Sequence, residues 1–255
     1  MENRIDKTYY ETGRVLVSLA FIYKAIEFFV SMKSLDVAVP SYFGIPAFWT
    51  ITLAFIWFAA GISFLINIKS YLMSIIVTVA IVTILLTSTS RGFQGMNDIS
   101  STLLKFNSWF CMLGGALIIG SNSDHSSFAE HDSAMFTAGR ILTGMFFLIA
   151  GNLHFANVNT DAQYILHGFP DAKFWVIFTG ICWIMAAFSF WFNLASKLAA
   201  TGVIILVATI TYMTNIRGFN SSNAWADITQ IFSNLSLIGA SLMLASRGYW
   251  WFRKK

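Results

Sequence analysis

Charge is scarce in this chain: Asp, Glu, Lys and Arg together make up 11% of it, against about 25% in soluble domains. Apolar residues make up 56%, and the mean hydropathy is +0.66. So few polar groups cannot cover so large an apolar volume. The composition excludes a water-soluble globule and makes membrane lipid the solvent. Proline is rare, at three residues, and no helix reads as broken at matching places in the two halves of the chain. Cysteine is rarer still. Cys111 and Cys182 each lie within an apolar run and form no C-x-x-C or C-x-x-C-H pattern, so they read as inert buried thiols. That excludes haem attachment, iron–sulfur ligation and a thiolate zinc site. A Walker A loop, H-E-x-x-H, G-x-S-x-G and a dinucleotide fingerprint are all missing, so the apparatus of soluble enzymes is not visible. The net charge is +4, but the basic residues are scattered at the ends of apolar runs. That pattern reads as membrane topology, not as a nucleic-acid surface.

What is present is a series of eight apolar runs, near residues 13–32, 47–67, 71–90, 103–121, 139–157, 173–193, 197–216 and 229–246. Each has the roughly 20 residues that carry a helix across a hydrocarbon core about 30 Å thick. The expected fold is all-α, a polytopic membrane protein with eight transmembrane helices. Residues 1–12 are polar and mixed in charge, and no small-residue cleavage site ends the first run, so that run reads as a retained helix. Basic residues set the orientation. With both termini cytoplasmic, ten Lys and Arg fall inside, among them Arg14, Lys69, Arg140, Lys197 and the closing Arg253-Lys254-Lys255; five fall outside: Lys33, Arg91, Lys105, Lys173 and Arg217. A cell's inner membrane with both termini inside is the expected location.

The second half repeats the first. At an offset of 126, Gly13-Arg14 falls on Gly139-Arg140, Phe48-Trp49 on Phe174-Trp175, Trp57 on Trp183, Asn67 on Asn193, and Arg91-Gly92-Phe93 on Arg217-Gly218-Phe219. Apolar matches between membrane helices are cheap, but Arg, Trp, Asn and Gly at one constant offset are not. The expected organisation is a four-helix unit over 1–121, a polar linker over 122–138 and a second four-helix unit over 139–255. Four is an even number, so the copies run parallel, about an axis near the membrane normal. His125 and His131, with Asp124, Glu130 and Asp132, fall in the linker and read as solvated loop residues; no metal site is expected.

A few polar residues fall where hydrocarbon penalises them. Lys24 and Glu27 share a face of the first helix at i, i+3, near mid-membrane, where a charge costs about 2.5–3.5 kcal/mol. They read either as a self-satisfied structural pair or as a proton, substrate or quinone-headgroup site. In the second copy the same helix carries Asn152 and His154 in place of charges, and the near-neutral pKa of histidine makes His154 a candidate proton carrier. Arg91 and Arg217 end the third helix of each copy. They read as caps that bind the last carbonyls and lipid phosphates, or as guanidinium forks for an anion or quinone carbonyl. Asn215 lies beside Arg217. With both termini inside, Glu27, Arg91, His154 and Arg217 share the outer half of the membrane, and they form one polar cavity only if the odd-numbered spans adjoin. Gly13-Arg14 and Gly139-Arg140 read as positive-inside anchors with a glycine for close packing.

The residues that open each unit resemble the DoxX-like membrane proteins. They are Gly13-Arg14-Val15-Leu16 leading to Lys24, and Gly139-Arg140-Ile141-Leu142-Thr143-Gly144-Met145-Phe146-Phe147-Leu148-Ile149-Ala150-Gly151. The resemblance covers both units. It implies a four-helix bundle per unit and partnership with oxidoreductases, including quinone-linked enzymes that oxidise thiosulfate or other reduced sulfur. The polar end of the family's first helix maps onto Lys24 and Glu27, and only loosely onto Asn152 and His154. On this basis the expected function is a membrane subunit of a redox system, with quinone as a non-covalent cofactor. The alternatives are a non-catalytic scaffold or membrane chaperone, and a small-molecule or ion transporter.

Overall fold

The computed structural model describes residues 2–30, 46–92, 99–122, 129–165, 171–216 and 224–248, and these are helical apart from short turns, with no strand among them. The helices are α1 (Glu2–Val30), α2 (Pro46–Ile66), α3 (Ser70–Gly92), α4 (Ile99–Gly120), α5 (Ala129–Ala156), α6 (Val158–Asp161), α7 (Ala172–Phe192), α8 (Ser196–Thr211) and α9 (Ala224–Ser246). A 3-10 turn (Ala162–Tyr164) follows α6, and a π-helical turn (Tyr212–Ile216) extends α8. Four segments are long and apolar enough to cross a membrane: Ala47–Ile66, Ala134–Ala156, Ala172–Phe192 and Asp227–Ser246. Shorter apolar helices cover Ser70–Leu86, Trp109–Gly120 and Ser196–Thr211. The chain is therefore a helical membrane protein.

Two helices start well before their apolar runs, by more than two turns. α1 begins at Glu2 instead of residue 13, and α5 at Ala129 instead of 139, inside the expected linker. For α1 the cause is tertiary. Asp6 forms an ion pair with Lys197 at 2.7 Å, Glu11 is bonded by Arg14, and the Tyr10 hydroxyl donates to Ile119 O at 3.5 Å. Polar residues that hydropathy leaves out are held by a local ion pair, Glu11 with Arg14, and by partners distant in sequence for Asp6 and Tyr10. Proline respects the helices: Pro46 occupies the first position of α2, where its missing N–H costs nothing.

α4 and α9 lie side by side at the centre, and residues 111–121 are all buried. α1 packs along α9 and α2, while α5 packs along α4 and α7. α3 covers α4, and α8 covers α9. The most extensive packing thus crosses the middle of the chain, because α1 meets α9 far more than it meets α4. Glycine sets the closeness of these crossings. A Cβ on Gly239 would lie 2.6 Å from Gly13 O, and one on Gly139 would lie 2.7 Å from Gly114 O. Without side chains there, the backbones approach directly.

Two turns are built alike. In Asn67-Ile68-Lys69-Ser70, between α2 and α3, Asn67 (φ 55°) and Lys69 (φ 53°) are left-handed. In Asn193-Leu194-Ala195-Ser196, between α7 and α8, Asn193 (φ 52°) and Ala195 (φ 49°) are left-handed too. Such φ values are uncommon without glycine, and hydrogen bonds hold them. Ser70 Oγ donates to Asn67 Oδ1 at 3.1 Å, and Ser196 Oγ to Asn193 Oδ1 at 2.8 Å. Ile68 N donates to Ser63 O at 3.1 Å, and Leu194 N to Ser189 O at 2.9 Å. The core shows the same correspondence. Phe21 lies 5.7 Å from Trp57 and 5.4 Å from Phe64, while Phe147 lies 5.5 Å from both Trp183 and Phe190.

Candidate functional site

On α1, three residues bring Lys24 and Glu27 to one face, and Lys24 Nζ donates to Glu27 Oε2 at 2.7 Å. Their side chains are 22% and 18% exposed. Aromatic rings take up the other side of the ammonium: Nζ is 5.2 Å from the Trp109 ring centre and 5.5 Å from that of Phe28, within cation–π range. Trp109 comes from α4. From α9, Thr229 shares a 2.9 Å hydrogen bond with the Tyr23 hydroxyl, and Phe232 stacks on the Tyr23 ring at 4.2 Å. The pair thus stands at the junction of α1, α4 and α9.

Between these groups lies a cavity of about 20 Å³, bordered by Tyr23, Lys24, Glu27, Met112, Ser233 and Ser236. That is room for one water molecule. Ser233 and Ser236 donate to carbonyls of their own helix, at 3.0 Å to Thr229 O and 2.7 Å to Ser233 O. Each hydroxyl still has lone pairs free to accept. The arrangement can neutralise a charge pair, hold it with a water and lock α1 onto α9. Tyr23, Trp109, Thr229, Ser233 and Ser236 are the members that the sequence reading missed. Tyr23 adjoins Lys24, but the others join only because α4 and α9 pack on α1.

The remaining candidates are not gathered there. Asn152 is exposed, and its Nδ2 donates to Leu148 O at 2.8 Å. His154 Nδ1 lies 2.9 Å from Ala150 O; a carbonyl only accepts, so Nδ1 carries the proton. Both side chains fold back on α5. Beyond the end of α5, burial pushes the Asp161 carboxyl above its ordinary value, and nearby His154 opposes the shift. Arg91 ends α3 and Asn215 sits in the π-helical turn, but both side chains, and Arg217 altogether, lie outside the described residues. Among the described residues α1, α3, α5 and α8, which hold the odd-numbered apolar runs, share no extended contact. The condition for a single polar cavity is therefore not met among them, because α4 and α9 occupy the centre.

Arg14 does more than anchor a helix end. Its Nη1 donates to Phe64 O at 2.6 Å and Leu65 O at 2.7 Å, two of the last carbonyls of α2. A guanidinium there satisfies acceptors that the helix itself leaves open.

A much larger cavity lies elsewhere. A cleft of about 750 Å³ runs between α7 and α8, from Ile165, Trp175 and Met213 at one end to Leu194 and Ala195 at the other. Of the candidate polar residues whose side chains are described, Lys24, Glu27, Asn152 and His154, none lines it. Among the described residues no three His, Cys, Asp or Glu side chains come together as a metal site.

Fold and site together define a polytopic helical membrane protein with partly buried ion pairs, Lys24–Glu27 and Lys197–Asp6 among them, and a large apolar cleft. Compared with protein-family models, with curated proteins and with solved structures, the chain matches none.

Proposed function

We propose that the chain is an eight-span protein of a cell's inner membrane, with both termini cytoplasmic, built from two parallel copies of a four-helix unit, and that it serves as a membrane subunit of a quinone-linked redox system. The matching turns, the matching Phe–Trp–Phe clusters and the crossed packing of α1 on α9 and α5 on α4 support the duplication.

The observation that carries the subunit reading is the state of the intramembrane charges. Lys24 and Glu27 are bonded to each other, faced by rings and left with a cavity of about 20 Å³. Sites for small molecules run to about 300–1,000 Å³. A substrate does not fit beside this pair, so the chain acts through what docks on it or dissolves beside it. The DoxX-like resemblance supplies the redox partner, and electrons then reside on a quinone or on that partner. The same cavity size weighs against the transporter reading.

The test is purification of the full chain from its native membrane. A co-purifying oxidoreductase subunit, together with quinone reduction driven by thiosulfate or another reduced sulfur donor, is the expected result. A preparation with neither partner nor quinone, from membranes whose sulfur-driven quinone reduction is unchanged by deleting the chain, overturns the redox reading. The ion pair favours a scaffold as the second reading. In that case Lys24→Ala lowers a partner's abundance while turnover per partner stays constant.

A further inference from the structure

The cleft between α7 and α8 has a floor of small residues and a rim of large ones. Cys182, Ala199 and Gly202 line it where the first half carries Ile56, Met73 and Ile76 at the same offset of 126. Those three bulkier residues are half-buried, and Ile56 and Met73 pack against the core. At the rim the change is opposite. Phe178, Met185 and Phe188 stand where the first half has Thr52, Ala59 and Ile62, and all three are exposed.

Gly202 is the informative member. It lies inside α8, where glycine weakens a helix, yet a Cβ built on it would meet nothing within 4 Å. The other described glycines within helices would each bring a Cβ to 3.2 Å or less from a neighbour. Protein packing accounts for those glycines but not for Gly202.

The hydroxyl donors among the described lining residues are spent. The hydroxyls of Thr179 and Thr209 donate to Val176 O and Ile205 O, each at 2.8 Å, and Ser189 donates to Leu194 O. Quinone carbonyls only accept, so these hydroxyls offer them nothing. The indole N–H of Trp183 has no partner, but neither has that of Trp57 in the other half; this feature is common to both halves and does not mark the cleft. The rim is continuous with the lipid-facing surface, through Leu198 and Ile205 as well as Met185 and Phe188.

We propose that this cleft seats one acyl chain of a bilayer phospholipid. The chain lies over Gly202, along the seam between the Trp175 end and the Leu194–Ala195 turn. Hydrocarbon fills a space that no protein atom fills, and the first half closes the equivalent seam with its own side chains. The inference rests on the membrane setting and not on the redox reading.

The test reconstitutes the full chain in phosphatidylethanolamine vesicles with a trace of the same lipid bearing a diazirine along one acyl chain. In the wild type, crosslinks are expected to concentrate on residues 178–206 over the other lipid-facing helices. Restoring the first-half residues together (Cys182→Ile, Ala199→Met, Gly202→Ile) is expected to cut that labelling about ten-fold, with α2 and α3 labelled as before. Gly202→Ile alone serves if the triple variant fails to fold, as judged by gel filtration. Even labelling of all lipid-facing helices in the wild type overturns the proposal. So does unchanged labelling in a folded variant, or a prenylquinone as the only amphiphile extracted with the purified chain.

Discussion

Lys24 and Glu27 show what a charge inside a bilayer needs. Each alone is costly, and the pair holds because a 2.7 Å bond, two aromatic faces and one water-sized space take up the polar demand. Breaking one side therefore costs more than removing both. Glu27→Gln leaves an ammonium without its counter-charge and is expected to lower stability by about 1–3 kcal/mol in a detergent unfolding titration. The double change Lys24→Met with Glu27→Leu is expected to recover to within about 1 kcal/mol of wild type. Equal losses in the single and double variants would show that the pair does not interact. The pairing was legible in the sequence because i, i+3 spacing fixes it locally. Its surroundings were not, since Trp109 and the α9 hydroxyls reach it only through contacts separated by more than 80 residues in sequence. The role of Arg14 escaped for the same reason: its acceptors lie 50 and 51 residues away.

Among the elements, glycine has two opposite meanings. Gly139 and Gly114 let α5 and α4 touch backbone to backbone, as Gly13 and Gly239 do for α1 and α9. Gly202, by contrast, faces space that no protein atom fills. Alanine should separate the two cases. Gly139→Ala drives a methyl group into a carbonyl and is expected to destabilise by about 1–3 kcal/mol. Gly202→Ala adds helix propensity at no steric cost and is expected to stabilise by about 0.5–1 kcal/mol. Thermal melts of both variants in one detergent check the sign of each. Hydrophobic runs revealed the helices because lipid-facing and core-facing residues are both apolar in a membrane protein. They missed the first turns of α1 and α5, which are polar. In α1 the stabilising groups, Asp6 against Lys197 and Glu11 against Arg14, are ion pairs that hydropathy does not register. The cleft was readable in principle, as large-to-small changes at Ile56, Met73 and Ile76, but only with a structure to show that these positions face one seam.

Across the whole molecule, the repeat in the sequence and the bundle in space do not share a boundary. The proposed duplication would divide the chain near its middle, yet α1 finds its most extensive partner in α9, and α5 packs along α4 nearly as extensively as along α7. Val17, fully buried on α1, owes part of that burial to the other half, where it lies against Gly239. A half expressed alone would leave glycine-lined, close-packing faces on α1 and α4 without their partners. Lipid can cover an apolar face, but it does not reproduce a contact between two backbones. Residues 1–121 alone are therefore expected to aggregate or to pair with a second copy, α4 of each copy taking the place of α9. Co-expression of the two halves, cut between residues 122 and 129, is expected to give a single species of full-chain size on gel filtration in detergent. A stable, cooperatively melting monomer of 1–121 would mean that the first unit closes on itself. The contacts that cross the middle of the chain would then be an embellishment of the fold and not its basis.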